Sequence, residues 1–250
     1  AFFSFIGSAK VGWYLRSKLA PGVRFALEHG GAAPVIICPS ANTDELVPKL
    51  IKGGFYHSGQ VCVSVQRVFV VDSNAKELAE KLSVSANNLT VGDATDENTD
   101  CGPLIRPSEV DRVEQWINNA KKSGTEIICG GGRLSMTTFA PTILLNPDPS
   151  LEVSKSEIFG PVICIYDCGS NEEAIKRSNS LDFAFQSAVF SNDLKETITA
   201  GFRNLYLIIG SFLGTFLSVI LWLAGYKYTL AGRAAIYNQL STIFIIILAA

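Results

Sequence analysis

The sequence predicts an α/β domain followed by an apolar tail, and two observations carry that expectation. Short apolar or β-branched runs alternate with longer amphipathic segments as far as Arg203, the pattern of strands exchanging with helices. The charges then stop: of 44 charged residues in the 250-residue chain, only Lys227 and Arg233 lie beyond Arg203. The length suffices for one large domain or two smaller ones with a sizeable core. No internal repeat or low-complexity segment interrupts it.

Taken in order, "FFSFIG" has strand composition, and "SAKVGWYLRSKLAPG" has a helical pattern closed by Pro21-Gly22. "VRFALEHGG" reads as a strand running into a glycine turn. A helix is predicted over Thr43–Tyr56, capped by Asn42 or Thr43 with Glu45 in its first turn. It breaks at Ser58-Gly59. "SVQRVFVVDS" alternates apolar and polar residues and is β-branched, which indicates a strand. "NAKELAEKLSVSANNL" is an amphipathic helix, and "VGDATDENTDCGPLI" an acidic loop punctuated by Gly and Pro. "PSEVDRVEQWINNAKKSG" opens on Pro107, carries Glu109 and Asp111 early and closes on Lys121-Lys122, the order the helix dipole favours. Strands are predicted at "TEIICGG", "FAPTILLN", "PVICIYD" and "QSAVFS", and a helix at "NEEAIKRSN".

The tail differs in kind. Asn204–Tyr226 is a run of 23 residues without a charge, past the roughly 20 that a membrane-spanning helix needs. Trp222 and Tyr226 near one end suit an interfacial belt. A second uncharged run covers Ala234–Ala250, and the link bearing Lys227 and Arg233 prefers the cytoplasmic side. C-terminal hydrophobic helices associated with a membrane are therefore expected over 204–250. A buried core helix is the other reading, less suited to a segment that is apolar all round.

Composition excludes some partners. A net charge of −2 offers nothing for a nucleic acid. Cys38, Cys62, Cys101, Cys129, Cys164 and Cys168 form no CxxC pair and show no metal-ligand spacing with His29 and His57, so no metal site is expected. Such scattered cysteines suit a reducing compartment, hence a cytoplasmic location for the α/β part. Taken singly, each reads as a small buried hydrophobe. The opening "AFFSFIG" has no basic residues before it and is not a signal peptide pattern; it reads as a strand entered partway, with the N-terminus cut.

Four segments in order change the reading of Cys62. "FIGSAKVG" (5–12), "ALEHGG" (26–31), "GQVC" (59–62) and "EIFGPV" (157–162), with "VGD…GPLI", "GGG" and "APTIL" between them, resemble the aldehyde dehydrogenase superfamily over Phe2–Phe202. The resemblance implies an open, mostly parallel sheet with flanking helices. It implies a remnant of the NAD(P)-binding domain at 1–27, a catalytic domain at 28–203, and a tail outside the family pattern at 204–250. Cys62 matches the catalytic thiolate, at a helix-to-strand junction where backbone dipoles lower a thiol's pKa. Its backbone N–H is implied as an oxyanion donor. Glu28 matches the general base, a carboxylate beside Gly30-Gly31 placed to reach a cleft with a raised pKa. Gly7 and Ser8 match the turn that approaches the dinucleotide pyrophosphate at a helix N-terminus. Glu157 matches the residue that holds the ribose hydroxyls of NAD or NADP, and Phe159 the aromatic that packs beside it.

The implied function is oxidation of an aldehyde to a carboxylic acid through a thiohemiacetal and a thioester on Cys62. "GQVCVSVQRVFV" and "GGAAPVI" look most like branches acting on small polar or phosphorylated aldehydes. Three departures bear on this. The chain starts at the family's late nucleotide-domain strand. His29 follows the catalytic glutamate where an apolar residue is usual. The loop and oligomerisation strand that the family carries after Thr197–Leu207 are replaced by the apolar tail. A weakly active or inactive fragment is therefore expected, with most of the homo-oligomer interface missing. The alternatives are a membrane-tethered, catalytically dead module and a cofactor-free cysteine hydrolase.

Overall fold

A computed structural model describes residues 1–196 apart from Ser73, Phe183, Phe185 and Leu194. The hydrophobic helices expected over 204–250 lie outside the described residues. Among the described residues no helix is long and apolar enough to cross a membrane.

The described residues build two sheets. β1 (Phe2–Gly7) and β2 (Arg24–His29) form a parallel pair, bridged by helix α1 (Ala9–Ser17). Ser8 caps α1 by accepting from the Val11 N–H at 3.5 Å, and Gly12 lets the helix lie on the Phe5 ring. β3 (Ala33–Ile37) then opens a second sheet, followed by α2 (Thr43–Phe55), β4 (Val65–Val71), α3 (Ala75–Asn87) and α4 (Pro107–Lys122). The remainder is β5 (Glu126–Cys129), β6 (Thr142–Leu145), the short α5 (Glu152–Lys155), β7 (Val162–Cys168), α6 (Asn171–Ser178) and β8 (Ala188–Phe190). The strand order is β5-β6-β7-β4-β3-β8, parallel throughout except where β5 runs against β6. This is the open, mostly parallel sheet the resemblance implies.

The core lies between this sheet and α2 and α3, where Val35, Ile37, Val68, Val70, Ile143, Ile163 and Ile165 meet Leu46, Leu50, Leu78 and Leu82. A parallel sheet is covered on both faces, so its strands lose the alternation that betrays a strand in sequence. That explains β3, which the sequence reading passes over: all five of its residues are buried. It also corrects β4. Its Gln66 and Arg67 look like the polar face of a half-exposed strand, yet they are only 4% and 3% exposed. α5, a single turn, is the other element without a periodic signal.

The buried polar groups of β4 are satisfied by backbone. Arg67 donates from Nε to the Ala32 carbonyl at 3.2 Å, and from Nη1 and Nη2 to the carbonyls of Arg177 and Ser178 at 3.2 and 3.1 Å. The last two are end carbonyls of α6, which have no partner within the helix and carry its negative dipole end. One guanidinium thus fastens α6 to the sheet and fixes the chain just before β3; burial lowers its pKa. The planar fork is what reaches three acceptors. Arg67→Lys, which keeps the charge and loses the fork, is expected to lower unfolding free energy by about 2–3 kcal/mol, read as a lower urea midpoint at unchanged m-value.

Candidate active site

Helix α2 does not stop cleanly. It passes into a tight 3-10 turn, Tyr56–Gly59, in which His57, Ser58 and Gly59 have φ of 50°, 57° and 71°. Three successive left-handed residues are costly away from glycine and persist only when neighbours hold them. Ser58 Oγ donates to the Gly102 carbonyl at 2.7 Å, and Gln60 bonds to the backbone of Pro103 and Ile105. Gly59 does more than tolerate its φ. A Cβ there would overlap the carbonyl of Gly160, so the turn rests directly on that backbone.

Beyond the turn, the Ser64 N–H donates to the Val61 carbonyl at 2.9 Å, and Gln186 Nε2 donates to the Val63 carbonyl at 3.2 Å. Cys62 sits between these anchors, half-buried. The other five cysteines are free and buried, as their composition predicts. Burial pushes the thiols of Cys38, Cys101 and Cys129 up to about 11 and that of Cys164 up to about 12, and raises Cys168 as well. Of the six, Cys62 alone is open to a reagent.

The opposing wall is the loop before β7. Gln66 holds it from beneath: its Nε2 donates to the carbonyls of Val153 and Ser156 at 3.1 and 2.7 Å, and its Oε1 accepts from the Ile158 N–H at 2.9 Å. Arg112, paired with Glu109 at 2.8 Å and stacked on Trp116, donates to the Ile158 carbonyl at 2.6 Å. So braced, the loop presents Phe159, 41% exposed, at φ 49°, and Glu157 half-buried.

The third wall is the link from β2 to β3. A Cβ on Gly30 would overlap the Glu157 carboxylate, so only glycine lets the two backbones approach. The nearby Gly31 backbone favours the charged form of that carboxylate, while Oε1 remains buried without a partner among the described residues. Gly31, Gly59, Val61, Gln66, Glu157 and Phe159 line one small cleft. Three of the four motif segments therefore meet. Glu28 is placed differently: it is exposed near the end of β2, opposite Ile6, and Gly7 lies opposite His29. Cys62 directly follows the lining residue Val61 but is not itself a wall of the cleft, and neither are Glu28, Gly7 and the cap Ser8, although β2 leads from Glu28 into it within three residues.

Sequence reading passes over Gln66, Arg112 and Gln60, all of which hold the walls. Only Gln60 carried a signal, lying inside "GQVC"; the other two act on backbone far away in sequence. The electrostatics of the cleft centre on Glu157. Burial raises its carboxyl above the ordinary range, against the Gly31 N–H and the positive fields of His29 and Arg112. A carboxyl raised on folding contributes its stability below the unfolded pKa and loses it as pH climbs through the folded one. Glu157→Gln, neutral throughout and close in size, is expected to match the parent near pH ~4 and exceed its Tm by roughly 1–3 °C near pH ~8, the modest size reflecting solvent screening of a half-buried group. Thermal melts of both proteins across that range check this.

The Aldehyde dehydrogenase family model matches residues 1–210. The 3-sulfolactaldehyde dehydrogenase of Priestia aryabhattai is 36% identical over 199 residues, 79% of this chain and 41% of that protein. Among solved structures, glyceraldehyde-3-phosphate dehydrogenase from Methanocaldococcus jannaschii complexed with NADP is 38% identical with a TM-score of 0.75, covering 80% of this chain and 43% of that one. Betaine aldehyde dehydrogenase from Staphylococcus aureus in complex with NAD+ is 29% identical with a TM-score of 0.75, covering 80% and 41%. The chain thus spans about two-fifths of the length of the relatives it matches. With its motifs in order and its sheet superimposing on theirs, it belongs to the aldehyde dehydrogenase family.

Proposed function

We propose that the chain carries the acyl-transfer machinery of an aldehyde-oxidising enzyme that uses NAD or NADP, with Cys62 as nucleophile. One observation carries the reading: in a member of this family, Cys62 is the accessible thiol of six, three residues after the Gly59 that rests on the Gly160 backbone. The thiolate adds to the carbonyl carbon of an aldehyde, and the Cys62 backbone N–H is the proposed donor to the oxygen that gains charge. NAD(P)+, when bound, supplies the hydride acceptor that takes this adduct to the thioester. Glu28, exposed near the end of β2, takes the proton from the water that hydrolyses the thioester.

The residues present fit the dinucleotide at Glu157. Glu157 Oε1 is a buried acceptor with no partner among the described residues, suited to a ribose hydroxyl. Phe159, exposed beside it, is the proposed packing surface, and Gly7 with Ser8 at the start of α1 the proposed pyrophosphate turn. Small polar or phosphorylated aldehydes are the proposed substrates, in keeping with the relatives named for 3-sulfolactaldehyde and glyceraldehyde-3-phosphate.

The half-reaction at sulfur needs no cofactor and isolates the nucleophile. Mixed with 4-nitrophenyl acetate, the chain should release a burst of about one equivalent of nitrophenolate and carry the acetyl group on the Cys62 peptide. Cys62→Ser should abolish the burst, and Glu28→Gln should slow deacylation by roughly 10²–10⁴-fold while leaving the burst. Acetyl found on another residue, or a burst that survives Cys62→Ser, would sink the assignment.

The uncharged run Asn204–Tyr226 favours a second property, membrane association through 204–250. In Triton X-114 phase separation the full chain should enter the detergent phase, and a chain ending at Phe202 should stay in the aqueous phase.

A further inference from the structure

Gln60 stands two residues before Cys62, and its amide is engaged at both ends. Nε2 donates to the Pro103 carbonyl at 3.2 Å and Oε1 accepts from the Ile105 N–H at 2.9 Å, so the side chain pairs with the 103–105 backbone as a neighbouring strand would. Nε2 also approaches the His57 carbonyl at 3.4 Å, tying the turn to itself. A primary amide supplies a donor and an acceptor in one plane, which a hydroxyl or a carboxylate cannot do with the same reach.

The contact acts where the backbone needs holding. His57 and Ser58, at φ 50° and 57°, are non-glycine residues in the left-handed region, and Gly59 fixes only how closely the turn meets Gly160. On either side of Cys62, the Val61 and Val63 carbonyls are held from the downstream chain, by the Ser64 N–H and by Gln186. Upstream, Gln60 is the side chain that fastens the same segment to the 102–105 strip, with Ser58 Oγ gripping the Gly102 carbonyl at 2.7 Å one step earlier. Cys62 therefore hangs between two anchors.

We infer that Gln60 is a positioning residue for Cys62. Its two-point clamp on Pro103 and Ile105 fixes the 59–62 backbone, and with it the direction of both Sγ and the N–H of Cys62 toward a bound carbonyl. This rests on Cys62 being the nucleophile, as proposed above. Misplacing a reacting group by a fraction of its bond length to substrate costs rate steeply, even when the group itself is intact.

Two reagents separate positioning from mere folding. With 4-nitrophenyl acetate, the thiolate forms a bond to the carbonyl carbon and the C=O pair moves to oxygen. It then returns to expel 4-nitrophenolate with its bonding pair, leaving a thioester. That path needs a donor at the oxygen. Iodoacetamide alkylates sulfur by direct displacement of iodide and needs no such donor. Gln60→Met, close in size and without donor or acceptor, should slow acylation of Cys62 on the order of 10–100-fold and leave alkylation near the parent rate. Gln60→Glu keeps an acceptor for Ile105 and loses the donor to Pro103, so its acylation rate should fall between. Asn146→Ala serves as the stability control. Asn146 makes a similar two-point contact with Asp167, at 2.8 Å through both amide atoms, at the far end of β7. It should lower Tm without altering the ratio of the two rates. Equal acylation in Gln60→Met and parent overturns the inference alone, as does a parallel fall of both reactions in step with Tm. A parent chain that is not acylated at Cys62 overturns the nucleophile assignment, and the inference falls with it.

Discussion

Backbone on backbone, at Gly59 and Gly160, is the contact on which the rest of the cleft depends. No side chain fits between them, and Gly59 also sits at φ 71°, where other residues are strained. The contact sets the distance between the turn that bears Cys62 and the loop that bears Glu157 and Phe159. Every other brace works around it. Gln66 and Arg112 stiffen the loop from behind, while Ser58 and Gln60 stiffen the turn from the side. Gly30 repeats the device on the third wall, where the Glu157 carboxylate takes the space of a side chain.

The two sheets present opposite ends to this place. The turn after β1 and the link after β2 leave their strands at the carboxyl ends, whereas β3, β4 and β7 begin just beyond the cleft-lining segments. In open parallel sheets, ligands usually sit outside the carboxyl ends of the strands. Here only the link after β2 reaches the cleft from a carboxyl end, and the large sheet contributes its amino ends. Residues at the start of β4, Gln66 and Arg67, can therefore serve the cleft and the core together. Gln66 carries the Glu157 loop, and Arg67 fixes Ala32 immediately after the Gly30-Gly31 wall.

Much of this was legible in the sequence where a local pattern was also the final environment. α1, α3 and α4 announce themselves by apolar spacing, α4 also by charges ordered along the dipole, and α2 by its Asn42 cap. The Gly59 turn showed as a break in a helical pattern. β3 was not legible, because a strand buried on both faces has no alternation to read, and the polar look of Gln66 and Arg67 pointed outward when both residues are inside. In the site, the motifs name Cys62, Glu157 and Phe159 but not the side chains that hold them. Gln66 and Arg112 act on carbonyls and N–H groups 46 to 92 residues away, a partnership no local window contains.

Those separations bear on the order of events in synthesis. Gly59 meets Gly160, Gln66 meets Ile158, and Val63 meets Gln186 across 123 residues. Contacts so distant along the chain are the slow ones in folding, since loop entropy must be overcome before they contribute. A nascent chain exposes the Cys62 thiol on the ribosome long before it has a cleft. Until Gln186 has emerged, that thiol is an unprotected group on an unfinished domain, and the interval is set by translation rather than by chemistry.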